Sequence, residues 1–422
     1  MDSGRNGSEP TQRAAQRAYC IAALPAGDDL AELGELLRTA GVAVVGEMVQ
    51  RREQPHPNTY LGPGKVAEAK QAAIACEANL IACDDELSAR QERNLEEALG
   101  LPVVDRTTVI LDIFASHAHS AEGKLQVELA QLEYNLARMR GLWTHLERLG
   151  GGIGTRGPGE TQIETDRRLA RDRIAALRRR LEHVKGTRAV QRAERERAAL
   201  PTVAIVGYTN AGKSTLLNAL TGSEVGVRDR LFHTLDPTTR MLRLGGRPYL
   251  ITDTVGFISK LPHQLVDAFG ATLEETRRSQ LLVHVLDASA PELQMQIMQR
   301  SVEETLEEIG AGEQPRLLVL NKVDLLDEQT REDVRLAHPE AVLLSASSGE
   351  GLDELGERIE GELAHMLRRV ELLVPYADGG SLAELHELAG EVTREDTADG
   401  VRVQALVPVR LAERFARFAV AT

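Results

Sequence analysis

Short apolar runs separated by amphipathic stretches occupy the first part of the chain. The runs predict four buried strands, at Tyr19–Leu24, Val42–Val45, Leu80–Cys83, and Val103-Val104 together with Ile110-Leu111. The leucine spacing within Asp28–Ala40 predicts an amphipathic helix, and a second helix is predicted over Val66–Glu77. Strands that alternate with helices are typical of a small α/β domain, which we predict over residues 17–118. Residues 1–16 are polar and predict a disordered N-terminus.

The apolar spacing changes to that of a coiled coil after residue 118. Two runs repeat at four-three spacing, first Leu125, Leu129, Leu132, Leu136 and Met139, then Ile174, Leu177, Leu181 and Val184. They predict an antiparallel helical hairpin over residues 119–198. The loop that connects its helices, Gly141–Glu160, is rich in glycine and holds the single tryptophan of the chain, Trp143. A long loop of this kind is more often functional than structural, and a flexible connector is the alternative.

A glycine-rich loop at Gly207–Ser214 follows an apolar run, Thr202–Val206, and precedes a predicted helix, Thr215–Leu220. Strand, loop and helix in this order, with the spacing G-x-x-x-x-G-K-S, predict a P-loop. The glycines allow backbone N–H groups to surround a phosphate, and the helix N-terminus adds the positive end of its dipole. Lys213 would reach the β- and γ-phosphates, and the Ser214 hydroxyl would bind Mg²⁺. A nucleotide site is therefore predicted here.

Two later segments match the parts of a GTPase that sense the γ-phosphate. The segment Leu231–Arg240 is suited to hold the threonine that senses Mg²⁺. Position alone leaves three candidates open for that role: Thr234, Thr238 and Thr239. A strand-like run, Tyr249–Thr252, leads into D-x-x-G at Asp253–Gly256. Asp253 would hold Mg²⁺ indirectly, and the Gly256 N–H could meet the γ-phosphate until hydrolysis removes it.

Two further strands end in residues suited to a guanine base. Leu317–Leu320 leads into N-K-x-D at Asn321–Asp324, and Ala341–Leu344 leads into Ser345–Ser347. The Asp324 carboxylate can accept hydrogen bonds from the N1–H and N2–H₂ groups of guanine, a donor pair that adenine lacks. Backbone N–H groups of the last segment can approach the guanine O6. The predicted nucleotide is therefore GTP, with GDP as the product.

These motifs, together with an apolar run at Leu281–Leu286, predict a P-loop GTPase domain over residues 199–367. Its sheet is expected to be Ras-like and mostly parallel. The tail, residues 368–422, has a strand-like run, a predicted helix and a hairpin turn at Asp399-Gly400. It predicts a small α/β C-terminal domain that carries no catalytic motif. The predicted fold class is therefore α/β throughout.

Phe257 follows D-x-x-G at the position where Ras-like GTPases carry the glutamine that orients the attacking water. A phenyl ring cannot orient water by hydrogen bonding. We therefore expect slow intrinsic turnover, no faster than the roughly 10⁻⁴ per second of unassisted Ras, with acceleration supplied by a partner. A high single-turnover rate of the purified protein alone would contradict this expectation.

Composition and charge narrow the class of protein further. The net charge of −14 argues against binding nucleic acid over the whole surface, so DNA binding is not expected, and the 3% of aromatic residues disfavours a base-stacking platform. The cysteines form no C-x-x-C pair, which suits a reducing compartment. The sequence shows no signal peptide and no apolar run of about 18 residues. We expect a cytoplasmic monomer without an integral membrane segment, and peripheral membrane association is compatible with this pattern.

The second hairpin helix is basic within this acidic chain. Residues 158–198 contain twelve Arg and Lys against seven Asp and Glu. Basic residues on a solvated helix often have no specific role. Beside the loop Gly141–Glu160, which carries Arg156, they favour a surface that contacts a phosphate backbone by shape. A second phosphate loop could lie at Gly62–Lys65, although Gly-Pro-Gly is also ordinary turn chemistry before a helix.

The motifs resemble those of the HflX family of translational GTPases, within the Obg-HflX group. The resemblance rests on G-Y-T-N-A-G-K-S at Gly207–Ser214, L-F-H-T-L-D-P-T-T-R at Leu231–Arg240, D-T-V-G-F at Asp253–Phe257, and two N-terminal segments, Tyr60–Lys65 and Gly151–Arg167. The resemblance is highly specific over about residues 18–367 and looser over the tail. It implies that Thr234 is the switch threonine that binds Mg²⁺.

The resemblance also implies a role at the ribosome. A family member would bind the large (50S) ribosomal subunit, dissociate stalled or stressed 70S ribosomes, and be stimulated by the ribosome. The hairpin and its tip loop, Gly141–Glu160, would then contact ribosomal RNA. Two alternatives remain: a GTPase for assembly or quality control of the large subunit, and an ATP-dependent remodeller of ribosomal RNA that acts through the N-terminal domain.

Four groups of residues make up the predicted nucleotide site. The P-loop group is Gly207, Tyr208, Thr209, Asn210, Ala211, Gly212, Lys213, Ser214 and Thr215. The resemblance supplies the switch group, which is Phe232, His233, Thr234, Leu235 and Asp236. The D-x-x-G group is Asp253, Thr254, Val255 and Gly256, and the base group is Asn321, Lys322, Val323, Asp324, Ser345, Ala346 and Ser347. Lys213, Thr234 and Gly256 are the predicted catalytic residues, and Ser214 and Thr234 the predicted Mg²⁺ ligands.

Overall fold

The structure is a computed structural model that describes residues 16–25, 29–149, 158–198, 200–222, 231–232, 237–260 and 270–420. The predicted disordered N-terminus, residues 1–16, lies outside this part of the chain except for Gln16. The chain divides into two compact units. One comprises the residues up to Ser116 with Val127–Ala175, and the other comprises His117–Gln126 with the residues from Ala176 onward. Within the described residues, no helix is both long and apolar enough to cross a lipid bilayer.

A four-stranded parallel sheet forms the N-terminal part of the first unit. Its strands, in the order β2-β1-β3-β4, are β1 (Arg17–Leu24), β2 (Ala43–Arg51), β3 (Leu80–Cys83) and β4 (Val103–Asp105). The helices that accompany them are α1 (Ala31–Thr39), α2 (Pro63–Ala75), α3 (Ala89–Leu99) and α4 (Arg106–His117). The prediction of an α/β arrangement is confirmed here.

The predicted contribution of Ile110-Leu111 to the fourth strand is wrong, because both residues lie in helix α4. The Asp105 carboxylate accepts a hydrogen bond from the Thr108 N–H at 2.9 Å, which stabilises the start of a helix directly after the strand. Ile110 and Leu111 are buried together with Phe114, at helical spacing. A short apolar run does not distinguish a strand from a buried helix.

Two long helices, α5 (Ala121–Leu149) and α6 (Pro158–Ala198), follow. The predicted loop Gly141–Glu160 is helical at both ends, and only residues 150–157 lie outside the described residues. The N-terminal part of this loop contains no proline, and Pro158 is favoured at the first position of a helix. The Arg173 guanidinium lies 2.6 Å from the Glu128 carboxylate, so the two helices lie side by side at this point.

The burial of helix α5 differs from the predicted coiled-coil seam. Val127, Ala130 and Tyr134 are buried, whereas Leu129 and Leu132 are partly exposed. Tyr134 donates a hydrogen bond to Asp105, and the Arg138 guanidinium lies 2.6 Å from the same carboxylate. These polar contacts attach the helix to the end of strand β4 and turn a different face inward.

A six-stranded sheet dominates the second unit. Its strands, in the order β10-β9-β8-β5-β7-β6, are β5 (Thr202–Gly207), β6 (Thr238–Leu244), β7 (Arg247–Asp253), β8 (Leu281–Asp287), β9 (Arg316–Asn321) and β10 (Val342–Leu343). Strand β6 runs antiparallel to its neighbour, and the other described strands pair in parallel. The helices are α7 (Lys213–Thr221), α8 (Gly270–Arg278), α9 (Glu292–Glu308), α10 (Glu328–Ala337) and α11 (Leu352–Leu363). The mostly parallel sheet confirms the predicted fold class.

Apolar side chains cover both faces of this sheet. On one face, valines and isoleucines of β5, β8 and β9 pack with residues of α7 and α11, such as Leu216 and Ile359. On the other face, Leu286 and Leu320 pack with Val334 of α10. The core therefore fixes the parallel strands, and their carboxyl ends meet at one edge of the sheet.

The tail forms a three-stranded antiparallel sheet in the order β11-β13-β12. Its elements are β11 (Leu367–Val374), α12 (Gly379–Leu388), β12 (Gly390–Thr397), β13 (Gly400–Pro408) and α13 (Val409–Phe415). The tail contacts the larger sheet where β12 begins. A Cβ atom on Gly390 would lie 2.3 Å from the Cγ of Arg247, the first residue of β7. The Arg247 side chain therefore packs where a side chain at position 390 would lie.

Candidate nucleotide-binding site

Three of the four predicted residue groups meet at the carboxyl edge of the six-stranded sheet. The P-loop group follows β5, the D-x-x-G group follows β7, and the base group follows β9 and β10. Direct hydrogen bonds join the groups to one another, as described below. Of the switch group, Phe232 is described and is buried, whereas His233–Asp236 lie outside the described residues.

Two of the three switch-threonine candidates lie on strand β6. Thr238 pairs with Asp253 across the β6–β7 ladder. The Thr239 hydroxyl shares a hydrogen bond of 2.9 Å with the Thr252 hydroxyl. Both residues are therefore held in the sheet. The third candidate, Thr234, lies outside the described residues, and its role stays a prediction.

The P-loop curls closely around the start of helix α7. Gly212 has a φ of 95°, and a Cβ atom there would lie 2.2 Å from the Asn321 amide nitrogen. Only glycine fits this position, because it tolerates positive φ and leaves room for the neighbouring side chain. Helix α7 begins directly afterwards, and the Gly212 position before it offers no side chain to cap its first N–H groups. This geometry suits an anion, which helix N-termini and glycine loops bind well.

The Lys213 side chain lies inside the P-loop. Its ammonium donates a hydrogen bond to the Tyr208 carbonyl at 2.7 Å, and the residue is 7% exposed. Burial lowers the pKa of Lys213 to about 8, and the negative charge of Asp253 opposes this shift. A phosphate beside the ammonium would favour its charged form and raise its pKa again. Lys213 is therefore suited to pair with an anion in this loop.

Ser214 and Asp253 lie next to each other where a metal could bind. The Ser214 hydroxyl donates a hydrogen bond to the Asp253 carboxylate at 2.6 Å, and Asp253 is fully buried. Mg²⁺ prefers oxygen ligands and often binds through one or two protein groups together with phosphate and water. The two side chains fit this preference, since the serine oxygen keeps lone pairs for a metal and the carboxylate can bind its water.

Backbone hydrogen bonds join the P-loop to the segment that follows D-x-x-G. The Thr209 N–H donates to the Phe257 carbonyl at 2.8 Å, and the Phe257 N–H donates to the Gly207 carbonyl at 3.1 Å. The Tyr208 hydroxyl lies 2.7 Å from the Ser259 hydroxyl and also accepts a hydrogen bond of 2.7 Å from the Ser259 N–H. We call these contacts the Tyr208 clamp. The Phe257 side chain is 1% exposed and lies inside the protein.

Asn321 links the P-loop to the last part of the base group. Its amide donates a hydrogen bond to the Ala211 carbonyl at 2.8 Å and accepts one from the Ala346 N–H at 3.0 Å. The residue is 2% exposed, and both ends of its amide are satisfied. Nearby, the Ser347 hydroxyl donates to the Asp324 carboxylate at 3.4 Å. Asp324 itself is exposed and able to meet a base.

Sequence reasoning missed Asp287, the last residue of strand β8. Its carboxylate lies 2.6 Å from the Lys322 ammonium, and its other oxygen accepts hydrogen bonds from Ser289. Lys322 has a φ of 68°, an uncommon value for a residue with a side chain. The signal that could have found Asp287 is an acid at the end of a buried strand beside N-K-x-D. Ser259 was also missed, and no sequence pattern marks it.

The possible second phosphate loop at Gly62–Lys65 has a different environment. Helix α2 begins at Pro63, and the Gly62 N–H donates a hydrogen bond to the Gln50 side chain at 2.8 Å. The Lys65 ammonium is paired with Glu68. These contacts are those of an ordinary turn before a helix, which is the alternative to a phosphate loop at this position.

Family models and known proteins match most of the chain. Residues 27–115 match the model described as GTP-binding GTPase N-terminal, 117–195 the GTP-binding GTPase Middle Region, and 202–322 the 50S ribosome-binding GTPase. The GTPase HflX of Lacrimispora saccharolytica is 49% identical over 399 residues, which cover 93% of each protein. The GTPase HflX of Escherichia coli is 46% identical over 391 residues, which cover 90% of each.

A solved structure is also similar, a GTP-binding protein from the hyperthermophilic archaeon Sulfolobus solfataricus in complex with GDP. It is 26% identical, and the match covers 83% of this chain and 99% of that one with a TM-score of 0.42.

A parallel sheet with a phosphate loop at its carboxyl edge, followed by D-x-x-G and N-K-x-D at the same edge, defines a P-loop GTPase. The protein is therefore an enzyme that hydrolyses GTP to GDP. The identity with curated relatives along nearly the whole length goes beyond this class. The chain belongs to the HflX family of GTPases.

Proposed function

We propose that this GTPase is a translation factor that binds the large ribosomal subunit and dissociates stalled or stressed 70S ribosomes. The observation that carries the proposal is the match of residues 202–322 to the model described as 50S ribosome-binding GTPase. The ribosome stimulates GTP hydrolysis in this proposal. A cytoplasmic location follows from the partner.

The basic helix α6 supports contact with ribosomal RNA. Its exposed arginines include Arg168, Arg171, Arg173, Arg178, Arg179 and Arg180. They stand out in a chain with a net charge of −14. Phosphate backbones attract such clusters strongly at low salt. The hairpin α5–α6, with the residues that connect its helices, is therefore the proposed surface for ribosomal RNA.

The nucleotide roles of the site residues are part of the same proposal. Residues Gly207–Thr215 surround the phosphates, and Lys213 pairs with the β- and γ-phosphates. Ser214 and Thr234 hold Mg²⁺, which neutralises negative charge on the phosphates when bound. The N–H of Gly256 meets the γ-phosphate. Residues Phe232–Asp236 flank this end of the nucleotide.

The base group completes the proposed site. Asp324 accepts the guanine N1–H and N2–H₂, and the backbone of Ser345–Ser347 approaches its O6. Asn321 supports both loops through the hydrogen bonds described above. Lys322 and Val323 lie between Asn321 and Asp324 in the sequence and shape the pocket for the guanine base. Asp287 holds Lys322 in place through their ion pair.

The partner dependence of the rate follows from Phe257. Its phenyl ring is buried and carries no group that could orient the attacking water. We therefore propose that the free protein turns over at no more than roughly 10⁻⁴ per second and that the ribosome accelerates it.

Sedimentation of 70S ribosomes through sucrose gradients tests the proposed function. The protein with GTP, or with a non-hydrolysable analogue, should convert 70S ribosomes into subunits, whereas the protein with GDP should not. The Asp324→Asn variant is the matched control. Its amide should lose pairing with guanine and favour xanthine, so it should split ribosomes only with the xanthosine nucleotide.

One result would contradict ribosome splitting, and another would favour the ATP-dependent alternative. If the GTP form leaves 70S ribosomes intact but binds free 50S subunits, the protein acts in assembly or quality control of the large subunit. If residues 1–198 alone remodel ribosomal RNA with ATP, the N-terminal part is an independent remodeller.

A further inference from the structure

The Thr209 hydroxyl in the P-loop is buried and has no hydrogen-bond partner among the residues that the structure describes. The residue is 7% exposed, and its Oγ1 is buried and makes no hydrogen bond within that part of the chain. Buried hydroxyl groups in folded proteins are nearly always paired. An unpaired hydroxyl inside a nucleotide site therefore points to a partner that arrives with the nucleotide.

The position of Thr209 indicates which part of a nucleotide it would meet. A Cβ atom built on Gly256 would lie 2.7 Å from the Thr209 methyl carbon and 3.1 Å from the Lys213 ammonium. The Thr209 side chain and the Lys213 ammonium therefore both lie beside Gly256. Gly256 and Lys213 are the two groups that face a γ-phosphate in a P-loop GTPase.

The backbone N–H of Thr209 already has a hydrogen-bond partner within the protein. Its N–H donates to the Phe257 carbonyl at 2.8 Å. The N–H therefore points to the segment after D-x-x-G. The hydroxyl is the polar group of this residue that remains for a nucleotide.

The position after D-x-x-G carries no side chain that could orient the attacking water. Phe257 stands where the glutamine of Ras-like GTPases would be, and its ring is buried. A threonine hydroxyl has one donor and two acceptor sites, so it can donate to a phosphate oxygen and accept from a water at the same time.

We propose that Thr209 is a catalytic residue whose hydroxyl contacts the γ-phosphoryl group and the attacking water. This contact supports the slow hydrolysis of the free protein, which the ribosome accelerates further. The role deepens the proposed function and rests on GTP hydrolysis at this site. The water oxygen forms a bond to the γ-phosphorus, and the bond from that phosphorus to the bridging oxygen of GDP breaks. The water's proton passes to a phosphate oxygen. The hydroxyl orients the reactants and ends the reaction unchanged.

Two substitutions separate the hydroxyl from the rest of the side chain. Thr209→Val keeps the shape and the methyl group against Gly256 but removes the hydroxyl. Thr209→Ser keeps the hydroxyl but removes the methyl group. The pair therefore distinguishes a chemical role from packing.

Single-turnover hydrolysis at saturating GTP and Mg²⁺, without ribosomes, is the measurement. Thr209→Val should lower the rate by about 100-fold, as for the loss of one donor to a transition-state oxygen. Its affinity for GDP should stay within about 2-fold of the parent, because GDP has no γ-phosphoryl group. Thr209→Ser should retain a rate within about 5-fold of the parent, given that hydroxyl contacts are imperfectly preserved.

Thermal unfolding provides a second readout. Removing an unpaired buried hydroxyl without changing shape should leave the melting temperature of Thr209→Val equal or higher. If the hydroxyl had a structural role, its removal in Thr209→Val would lower the melting temperature.

The inference is overturned if Thr209→Val hydrolyses GTP at the parental rate, or if both variants slow equally, which would assign the effect to packing against Gly256. A parent that hydrolyses GTP but leaves 70S ribosomes intact contradicts the ribosomal proposal alone. If Thr209→Val hydrolyses GTP more slowly than such a parent, the result still supports the inference. A parent that hydrolyses no GTP would overturn both.

Discussion

Asp287 and Lys322 form a partly buried ion pair beside the base group. Their side chains are 20% and 26% exposed, and their charged atoms lie 2.6 Å apart. The pair fixes the side chain of Lys322, a residue with an uncommon backbone φ of 68° that connects Asn321 to Val323 and Asp324. A charge-assisted hydrogen bond of this kind is stronger than a neutral one. Removing the carboxylate charge should therefore disturb the loop that carries Asp324.

We expect Asp287→Asn to weaken the binding of GDP and GTP alike. The loss of charge should cost about 1–2 kcal/mol of binding free energy, which is roughly 5- to 30-fold in affinity. Fluorescence titration with labelled GDP and GTP measures the affinity of each variant. Asp333→Asn, which changes an exposed carboxylate on helix α10, is the control and should bind normally. Equal affinities of all three proteins would show that Asp287 does not support the loop.

At the residue scale, sequence reasoning found the motif residues because their spacing is fixed by phosphate and guanine chemistry. It could not find Asp287 or Ser259, since the partners of these residues are 35 and 51 positions away in the chain. Such pairs depend on which strands become neighbours. The sequence also cannot indicate that the Thr209 hydroxyl lacks a hydrogen-bond partner, because this depends on which residues lie near it in the folded protein.

At the element scale, the Tyr208 clamp attaches the segment after D-x-x-G to the P-loop. A parallel bridge joins Tyr208 to Phe257, beyond the end of the β5–β7 ladder. The Tyr208 hydroxyl then holds Ser259 by two contacts of 2.7 Å. The segment after D-x-x-G is thus held by one phenol group together with two backbone hydrogen bonds.

Tyr208→Phe should loosen this segment while leaving the aromatic ring in place. The Ser259 N–H would lose its acceptor, at a cost of about 1–2 kcal/mol. We expect faster amide hydrogen exchange at residues 257–260, by about 10-fold or more. Exchange measured by mass spectrometry can resolve a peptide of this size.

Tyr376→Phe is the matched control for this change. Tyr376 donates a hydrogen bond of 2.8 Å to the Thr397 carbonyl in the tail, away from the P-loop. Exchange at residues 257–260 should be unchanged in this variant. If Tyr208→Phe behaves in the same way, the backbone bonds alone hold the segment.

Most elements follow from periodicity, and the exceptions have physical causes. Buried parallel strands such as β3 are continuous apolar runs, so they were predicted closely. The prediction of a strand at Ile110-Leu111 is wrong because a short buried helix gives the same local pattern as a strand. The helices of the hairpin extend further than predicted, since glycine in Gly141–Leu149 lowers helix propensity without preventing a helix.

At the scale of the whole molecule, charge is unevenly distributed along the chain. Helix α6 is basic, whereas helix α9 of the GTPase part carries five glutamates against one arginine. This division is compatible with the proposed contact between helix α6 and ribosomal RNA. The division of residues 1–422 into five parts, with boundaries at 16, 118, 198 and 367, stays a prediction.

Reversing charge on the hairpin should weaken ribosome binding. We expect the double variant Arg168→Glu/Arg171→Glu to bind 50S subunits at least about 10-fold more weakly at moderate salt. Its affinity should also depend less on salt, by roughly one logarithmic slope unit for each phosphate that the protein no longer neutralises. Binding isotherms at several salt concentrations measure both effects.

The double variant Arg300→Glu/Arg335→Glu is matched in charge and changes exposed positions of helices α9 and α10. It should bind almost as well as the parent. Equal weakening by both variants would mean that net charge, rather than the hairpin surface, controls binding.

The contact between Gly390 and Arg247 joins the tail to the strand that ends in Asp253. Strand β7 has seven residues, so at about 3.3 Å each it spans roughly 20 Å. The side chain of its first residue, Arg247, packs directly against Gly390 at the start of β12. A shift of this strand along its own axis would therefore displace the tail as well. Strand β7 therefore has the tail at its first residue and the phosphate loop at its last, where Asp253 accepts a hydrogen bond from Ser214.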